Sequence, residues 1–297
     1  MLRAIPPAEV AVDAHLVRRL LRSQHPDLSD LPVRRLGTGW DNAVFRLGRD
    51  LTVRVPRREM GARLIGAELQ WLPALAEVLP LAVPAPVRVG RPSDDHPWPW
   101  AVCRYVPGHA PGAAGFAGRS GLAAAGDLAR FLRALHVPAP ADAPRSTLRG
   151  VPLAERSVTV ASAVPSAPAA QRPRIQRAWD AALAIPAHGG PDLWVHGDLH
   201  GLNILASRGR ITGIIDFGDL CAGDRATDLA VGWLVLDRPG RDRFRSLLGV
   251  GEAAWARGRG WALFFGLMFL AHSAEDLVNG AIGRRVLAEV LADQGTN

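Results

Sequence analysis

The segment LWVHGDLHGLNILASRGRITGIIDFGDL, residues 193–220, constrains the chain more than any other. Its short apolar runs, broken by Gly-containing turns, read as strand, loop, strand, turn, strand. That pattern puts Asp198 and Asn203 five residues apart on one loop and Asp216-Phe217-Gly218 at the end of a returning strand. An Asp and an Asn so placed serve two needs of phosphoryl transfer at once, a base for an acceptor hydroxyl and a ligand for a metal on the phosphates. A second Asp after the next strand is a further metal ligand, and hard oxygen donors of this kind suit Mg2+. His196 reads as support for the loop, and His200 as a candidate substrate contact.

The first hundred residues have a different pattern. Residues 7–24 read as an amphipathic helix with Val12, Leu16, Leu20 and Leu21 on one face. Residues 32–56 alternate as strand, Gly turn (Gly37-Thr38-Gly39), strand, tight turn at Gly48–Asp50, strand. A helix over 59–79 and strands over 83–91 and 98–106 complete a five-strand sheet with one helix after its third strand. In the strand Leu51-Thr52-Val53-Arg54, alternation puts Thr52 and Arg54 on one face and Val53 on the other. From 107 on the chain is helical in character: helices over 122–136 and 171–183, then around 226–237, 252–272 and 274–293. The Pro/Ala/Ser-rich stretch 137–170 carries no clear periodicity. The boundary falls at 106/107, giving units 1–106 and 107–297.

The ordered set His196-Gly197-Asp198, Asn203 and Asp216-Phe217-Gly218, continued by Gly223-Asp224-Arg225-Ala226-Thr227-Asp228, resembles the catalytic and metal-binding loops of the aminoglycoside phosphotransferase family, relatives of the protein kinases. The resemblance implies an α+β protein-kinase-like fold of two lobes, an N-lobe with a five-stranded antiparallel sheet plus helix and a mainly helical C-lobe. It implies Asp198 as catalytic base and Asn203 and Asp216 as Mg2+ ligands. For the nucleotide, ATP or GTP, it implies Gly37 and Gly39 over the phosphates, Arg54 in the place of the family's phosphate-gripping lysine with Glu68 as its partner, and Thr52 against the purine. Tyr105 and Val106 are then the hinge that meets the purine edge. Gly197 stands where protein kinases have Arg, which points to the small-molecule branch.

Composition narrows the partners. All 35 basic residues are arginine, so any site that uses lysine elsewhere uses arginine here. Net charge is +7, with 24 Arg against 15 acidic residues in 1–190 and 11 against 13 in 191–297. The arginines are scattered and lack the aromatic-interleaved stripe of a nucleic-acid binder. The longest apolar run, residues 261–271, is short of the ~20 residues that span a bilayer and reads as a buried helix. Two cysteines give no disulfide framework and no zinc site. The expectation is a cytoplasmic enzyme, monomer or homodimer, with a nucleoside triphosphate and a small hydroxylated acceptor as partners. A cationic aminoglycoside acceptor wants acidic lining, for which Asp219, Asp224, Glu275 and Asp276 are the candidates. A metabolite acceptor (sugar, choline-like amine or homoserine-like) keeps the same fold. The absence of lysine motivates a nucleotide-binding pseudokinase, which the intact Asp198–Asn203–Asp216 set opposes.

Overall fold

The computed structural model describes residues 6–272 and 276–293. The chain divides into two compact units. One comprises the described residues through Val106 together with Ile214–Gly218, and the other comprises Pro107–Gly213 and the described residues from Asp219 onward. The stretch Ile214–Gly218 lies late in the sequence yet belongs to the first unit.

The first unit is built on β1 (Val33–Thr38), β2 (Asn42–Leu47), β3 (Leu51–Pro56), β4 (Pro86–Gly90) and β5 (Trp100–Arg104), with α1 (Ala14–Gln24) and α2 (Glu59–Val78). The strand order is β1-β2-β3-β5-β4 and every pairing is antiparallel. Gly48 turns β2 into β3 with φ +57°, a left-handed conformation that Gly adopts without steric cost. The period-two alternation of the strands decides what each face meets. Ala43, Phe45, Leu47, Val53, Val55, Trp100 and Val102 form one core with Leu16, Val17, Leu20 and Leu21 of α1. The alternate positions Ala101 and Cys103 pack with Ile65 of α2. The five-strand sheet and single following helix are as the sequence pattern predicts.

Helix α1 starts later than its apolar periodicity suggests. Asp13 caps it, its Oδ1 accepting from Leu16 N at 2.8 Å. Ahead of the cap, the N–H groups of Glu9 and Val10 both donate to Arg57 O, which holds that stretch outside the helix.

The second unit carries α3 (Gly118–Leu135), α4 (Ser157–Ala163), α5 (Arg172–Leu183), β6 (Leu193–Val195), β7 (Ile204–Ser207), β8 (Arg210–Ile214), β9 (Cys221–Gly223), α6 (Ala226–Leu229), α7 (Val231–Val235), α8 (Arg238–Leu248), α9 (Glu252–Ala271) and α10 (Leu277–Ala292). β8 runs to the junction with the first unit at Ile214. Strands β7 and β8 form a hairpin turned at Arg208 and Gly209, both at positive φ, and β6 pairs antiparallel with β9. The apolar run read as a buried helix lies in α9, where Trp261, Leu263, Phe264, Phe265 and Leu267 are buried. Among the described residues, no helix is long and apolar enough to cross a membrane. Helix α10 lies against α9 at Gly283, where a Cβ would stand 2.8 Å from Gly266 O.

Elements of the second unit also differ from the sequence reading, α4 among them, a helix in the stretch without clear periodicity. The region 226–237 is two short helices, β9 is a strand, and α8 is a full helix. Asp237 caps α8 by accepting from Gly240 N, Gly249 closes it in the left-handed conformation, and Phe244 is its main apolar anchor.

Candidate active site

In the second unit, the loop after β6 presents Asp198. Its backbone is fixed by a buried carboxylate from the segment after β9. Asp228 accepts from His196 N at 2.8 Å and Gly197 N at 2.9 Å, and its Oδ2 meets His136 Nε2 at 3.1 Å. Gly197 sits at φ +83°, where a Cβ would approach Asp219 O to 2.6 Å, so this turn requires glycine. His196 is fully buried, and its Nδ1 accepts from Asp198 N at 3.3 Å. That is the supporting role its place before the loop suggests.

Three side chains meet the Asp198 carboxylate. Oδ2 lies 3.1 Å from His200 Nε2 and accepts from Asn203 Nδ2 at 3.1 Å, and Oδ1 accepts from Arg149 Nη2 at 3.2 Å. His200 Nδ1 accepts from Leu202 N, which leaves the imidazole proton on Nε2, facing Asp198. Its ring also meets Phe269 edge-on at 5.1 Å. Burial pushes the Asp198 carboxyl up, but His200, then Arg149 and His196, outweigh it and hold the group well below the usual carboxylate range. Asn203 Nδ2 donates as well to Asp198 O at 2.9 Å. The amide nitrogen is thus committed, and Oδ1 is the atom left for a cation.

In the first unit, Arg54 of β3 points to the α2 face of the sheet and is buried, as is Glu68 of α2. Arg54 Nη2 donates to Glu68 Oε1 at 2.9 Å, Nη1 pairs with Oε2, and Nη2 also stands 3.5 Å from Asp216 Oδ1. Burial opposes the guanidinium charge, yet Glu68 and Asp216 outweigh it and raise Arg54 above its ordinary value. Glu59 pairs instead with Arg63. Asp216 is one of two described non-glycine residues at positive φ, +65°, and its carboxylate is 56 % exposed. A left-handed Asp held in place beside a buried pair is the kind of backbone strain found at functional sites. Thr52 is buried, with its hydroxyl 3.5 Å from Cys103 O.

The remaining expected nucleotide residues are also in the first unit. A Cβ at Gly37 would meet no atom within 4 Å. Gly39 N donates to Asn42 O at 2.9 Å, so that N–H is spent within the turn. Tyr105 N donates to Asp50 O, and Val106 is buried.

Three of the four acidic residues expected to line a cationic substrate site have partners within the protein. Asp219 Oδ2 lies 3.4 Å from Arg149 Nε. Asp224 is buried and gripped by Arg257 through Nε at 2.7 Å and Nη2 at 3.3 Å. Asp276 caps α10, accepting from Val278 N and Asn279 N. Glu275 lies outside the described residues.

Sequence reading did not find two residues that shape this loop. Asp228 was visible as part of the motif's continuation but not as the anchor of the loop. Arg149 comes from the Pro/Ala/Ser-rich stretch, where no periodicity marks it.

Among the described residues, no group of three or more His, Cys, Asp or Glu is placed to hold a metal. Asn203 Oδ1 and the exposed Asp216 carboxylate are each hard oxygen donors of the kind Mg2+ takes, an ion that usually has few protein ligands and completes its shell with phosphates and water.

The phosphotransferase enzyme family model matches residues 32–261. Comparison with curated protein sequences gave no match. Among solved structures, the chain is similar to the GDP complex of aminoglycoside 2'-phosphotransferase-IIIa at TM-score 0.71 and 23% identity, covering 95% of this chain and 100% of that one. It is similar to macrolide 2'-phosphotransferase MphH from Brachybacterium faecium at TM-score 0.60 and 19% identity, covering 92% and 97%. The streptomycin–ATP ternary complex of APH(2")-IIa matches at TM-score 0.62 and 19% identity, covering 91% and 95%. These likenesses establish the kinase-like fold of the aminoglycoside and macrolide phosphotransferases. The family model covers most of the sequence, including the loop that presents Asp198 and Asn203 and the strand that delivers Asp216, and the chain belongs to the phosphotransferase enzyme family.

Proposed function

We propose that this phosphotransferase moves the γ-phosphate of ATP or GTP to a hydroxyl of an antibiotic-type natural product, an aminoglycoside or another hydroxylated compound, and so inactivates it. The observation that carries this reading is the Asp198 carboxylate, held ionised by His200 and Arg149 on a loop pinned by Asp228. An ionised carboxylate accepts the proton of an alcohol as its oxygen bonds to phosphorus and the nucleoside diphosphate departs. Asn203 through Oδ1 and Asp216 through its exposed carboxylate are the proposed Mg2+ ligands. When bound, that ion neutralises the charge of the transferring phosphoryl group. Arg54, fixed by Glu68, contacts the phosphates of the nucleotide. The Gly37–Gly39 turn covers them, Thr52 lies under the purine, and the purine edge meets the Tyr105–Val106 backbone. Gly39 N and Tyr105 N are already donating within the first unit, so other backbone groups of those segments make these contacts.

Aminoglycoside and macrolide acceptors, as named for the similar structures, support the antibiotic reading. A metabolite kinase acting on a sugar-like acceptor is the second reading. It is favoured by the engagement of Asp224 with Arg257, which removes one acid from the set that would attract a polycation.

The test is nucleoside diphosphate release with Mg2+ and ATP or GTP across a panel of hydroxylated antibiotics and sugars, with Asp198→Asn alongside. Acceptor-dependent release that falls about 100- to 10,000-fold in Asp198→Asn is expected, the usual worth of a positioned base. No acceptor-dependent release by the parent, or undiminished release by a folded Asp198→Asn, refutes the reading.

A further inference from the structure

A charge buried in a protein is paired, or it holds a ligand. Among the described residues the buried arginines are Arg54, Arg156, Arg241 and Arg257. Three of them meet a carboxylate. Arg54 Nη2 donates to Glu68 Oε1 at 2.9 Å, Arg241 donates to Glu289 Oε2 and Asp293 Oδ1 at 3.0 Å each, and Arg257 Nε donates to Asp224 Oδ2 at 2.7 Å. Arg156 is the exception. Among the described residues it forms no ion pair, and its one side-chain hydrogen bond runs from Nη2 to the backbone, Thr147 O at 2.7 Å.

Its donors are accordingly left over. A guanidinium has five N–H groups. At Arg156 the one on Nε is sealed from water and has no acceptor. Both on Nη1 and the second on Nη2 are not used within the described residues, and these form the end-on fork of the side chain. Burial pulls Arg156 below its ordinary value. Glu155, the exposed residue before it, opposes this, and Arg149, of like sign, adds to it.

The position is built. Arg156 ends a short 3-10 turn, Leu153–Arg156, whose Leu153 is buried so close to α9 that a Cβ on Gly260 would stand 2.6 Å from its Cδ1. The carbonyl that Arg156 meets belongs to the Ser146–Arg149 turn, where Ser146 Oγ accepts from Leu148 N and Arg149 N at 3.0 Å each. Thr147 and Leu148 are exposed, so the guanidinium stands directly behind a surface turn of the second unit.

We propose that Arg156 anchors a small-anion site in the second unit, at which a carboxylate or phosphate group of a small molecule docks end-on to Nη1 and the free N–H of Nη2. Two parallel N–H···O bonds from a planar fork match two oxygens of such a group, and the anion brings the counter-charge that the chain itself does not supply. Arg54 and the residues proposed for the nucleotide phosphates belong to the first unit, so this site is additional to them and does not depend on Asp198 being the base.

The test follows the melting temperature of the parent, Arg156→Met and Arg156→Lys as inorganic phosphate replaces chloride at constant ionic strength, with Mg2+ and nucleoside diphosphate present throughout to occupy the nucleotide site. An anion that binds the folded state stabilises it once its concentration passes its Kd. The parent is expected to gain stability with phosphate. Arg156→Met is expected to need about tenfold more phosphate or higher for the same gain, the worth of one hydrogen bond to a charged group. In chloride Arg156→Met is expected to be at least as stable as the parent, because methionine removes a buried charge without a partner. Arg156→Lys keeps the charge without the fork, is expected to bind phosphate more weakly than the parent, and carries the measurement if Arg156→Met does not fold. Calorimetry with glucuronate against glucose gives the source of the anion. A preference for glucuronate that the variants lose assigns it to a substituent of a hydroxylated small molecule, and phosphate binding without glucuronate binding assigns it to a free inorganic anion. A parent whose melting temperature phosphate does not move, or the same phosphate dependence in the parent and the variants, overturns the assignment and leaves Arg156 as a donor to Thr147 O alone.

Discussion

Truncating Arg54 to Met keeps much of the side chain's volume while leaving Glu68 buried without its counter-ion. The two side chains are 8 % and 4 % exposed and share two hydrogen bonds. At an effective dielectric constant of about 20, unit charges ~4 Å apart attract by about 4 kcal/mol. Removing one partner of such a buried pair costs roughly 3–5 kcal/mol, because the remaining carboxylate must either stay charged in an apolar setting or take up a proton. Replacing both with apolar residues of similar size is often close to neutral. The double variant Arg54→Met/Glu68→Met therefore recovers most of the stability that Arg54→Met loses. Denaturant titration of the parent, the two single variants and the double gives the coupling free energy, expected to be at least the roughly 3–5 kcal/mol that one single variant loses. The pair's catalytic meaning is read separately as a raised nucleotide KM with a lowered kcat in both single variants and the double. An Arg54→Met variant within ~0.5 kcal/mol of the parent would show that the pair behaves as an exposed one and would refute the argument. Restored stability together with restored nucleotide KM in the double variant would remove Arg54 from the nucleotide site.

Two further outcomes follow from the same geometry. Asp216→Ala is expected to weaken Mg2+-dependent nucleotide binding more than Asn203→Ala does, since a carboxylate brings a full charge to the ion and an amide only a dipole. Calorimetry with and without Mg2+ checks this, and an Asp216→Ala variant with undiminished Mg2+ dependence contradicts it. Asp228→Ala removes the acceptor for two buried N–H groups and for His136. It is expected to lower stability by at least about 2 kcal/mol and to lower kcat, and a fully active, fully stable variant would show that the loop holds its shape without that anchor.

The first unit was legible almost element by element because alternation and turn chemistry are local. Val53 and Val55 face α1 while Thr52 and Arg54 face α2 for a reason visible in four consecutive residues. The Asp198 loop was legible because its residues are contiguous and their spacing is chemically specific. Helix α8 was not, since Phe244 is its one large buried apolar residue and charge dominates the rest. Its ends, Asp237 and Gly249, carried the only local signal. Arg149 could not be found by pattern. It meets Asp198 across 49 residues, from a segment whose conformation is set by docking onto β9 rather than by its own periodicity. Two of the acids expected as substrate lining, Asp224 and Asp276, show the same limit from the other side. An Asp in sequence carries no mark of whether it will cap a helix, as Asp276 does, or disappear into an ion pair, as Asp224 does.

The chain solves a common problem without lysine, and solves it the same way in each unit. Asp216 stands beside Arg54, whose fork also holds Glu68, and Asp198 stands beside Arg149, which also faces Asp219. In each case one permanent cation serves two carboxylates, so each cluster keeps a net negative charge while both acids are ionised. A lysine in such a place would be open to losing its proton when desolvated, whereas a guanidinium is not. The planar fork also fixes direction. Arg54 spends its Nη atoms on Glu68 and is held rigid, with one Nη turned toward the exposed Asp216 carboxylate. Arg149 lies over Phe265 and reaches Oδ1 of Asp198, leaving Oδ2 to His200 and Asn203. Arginine at both places therefore keeps a permanent positive charge beside each pair of carboxylates.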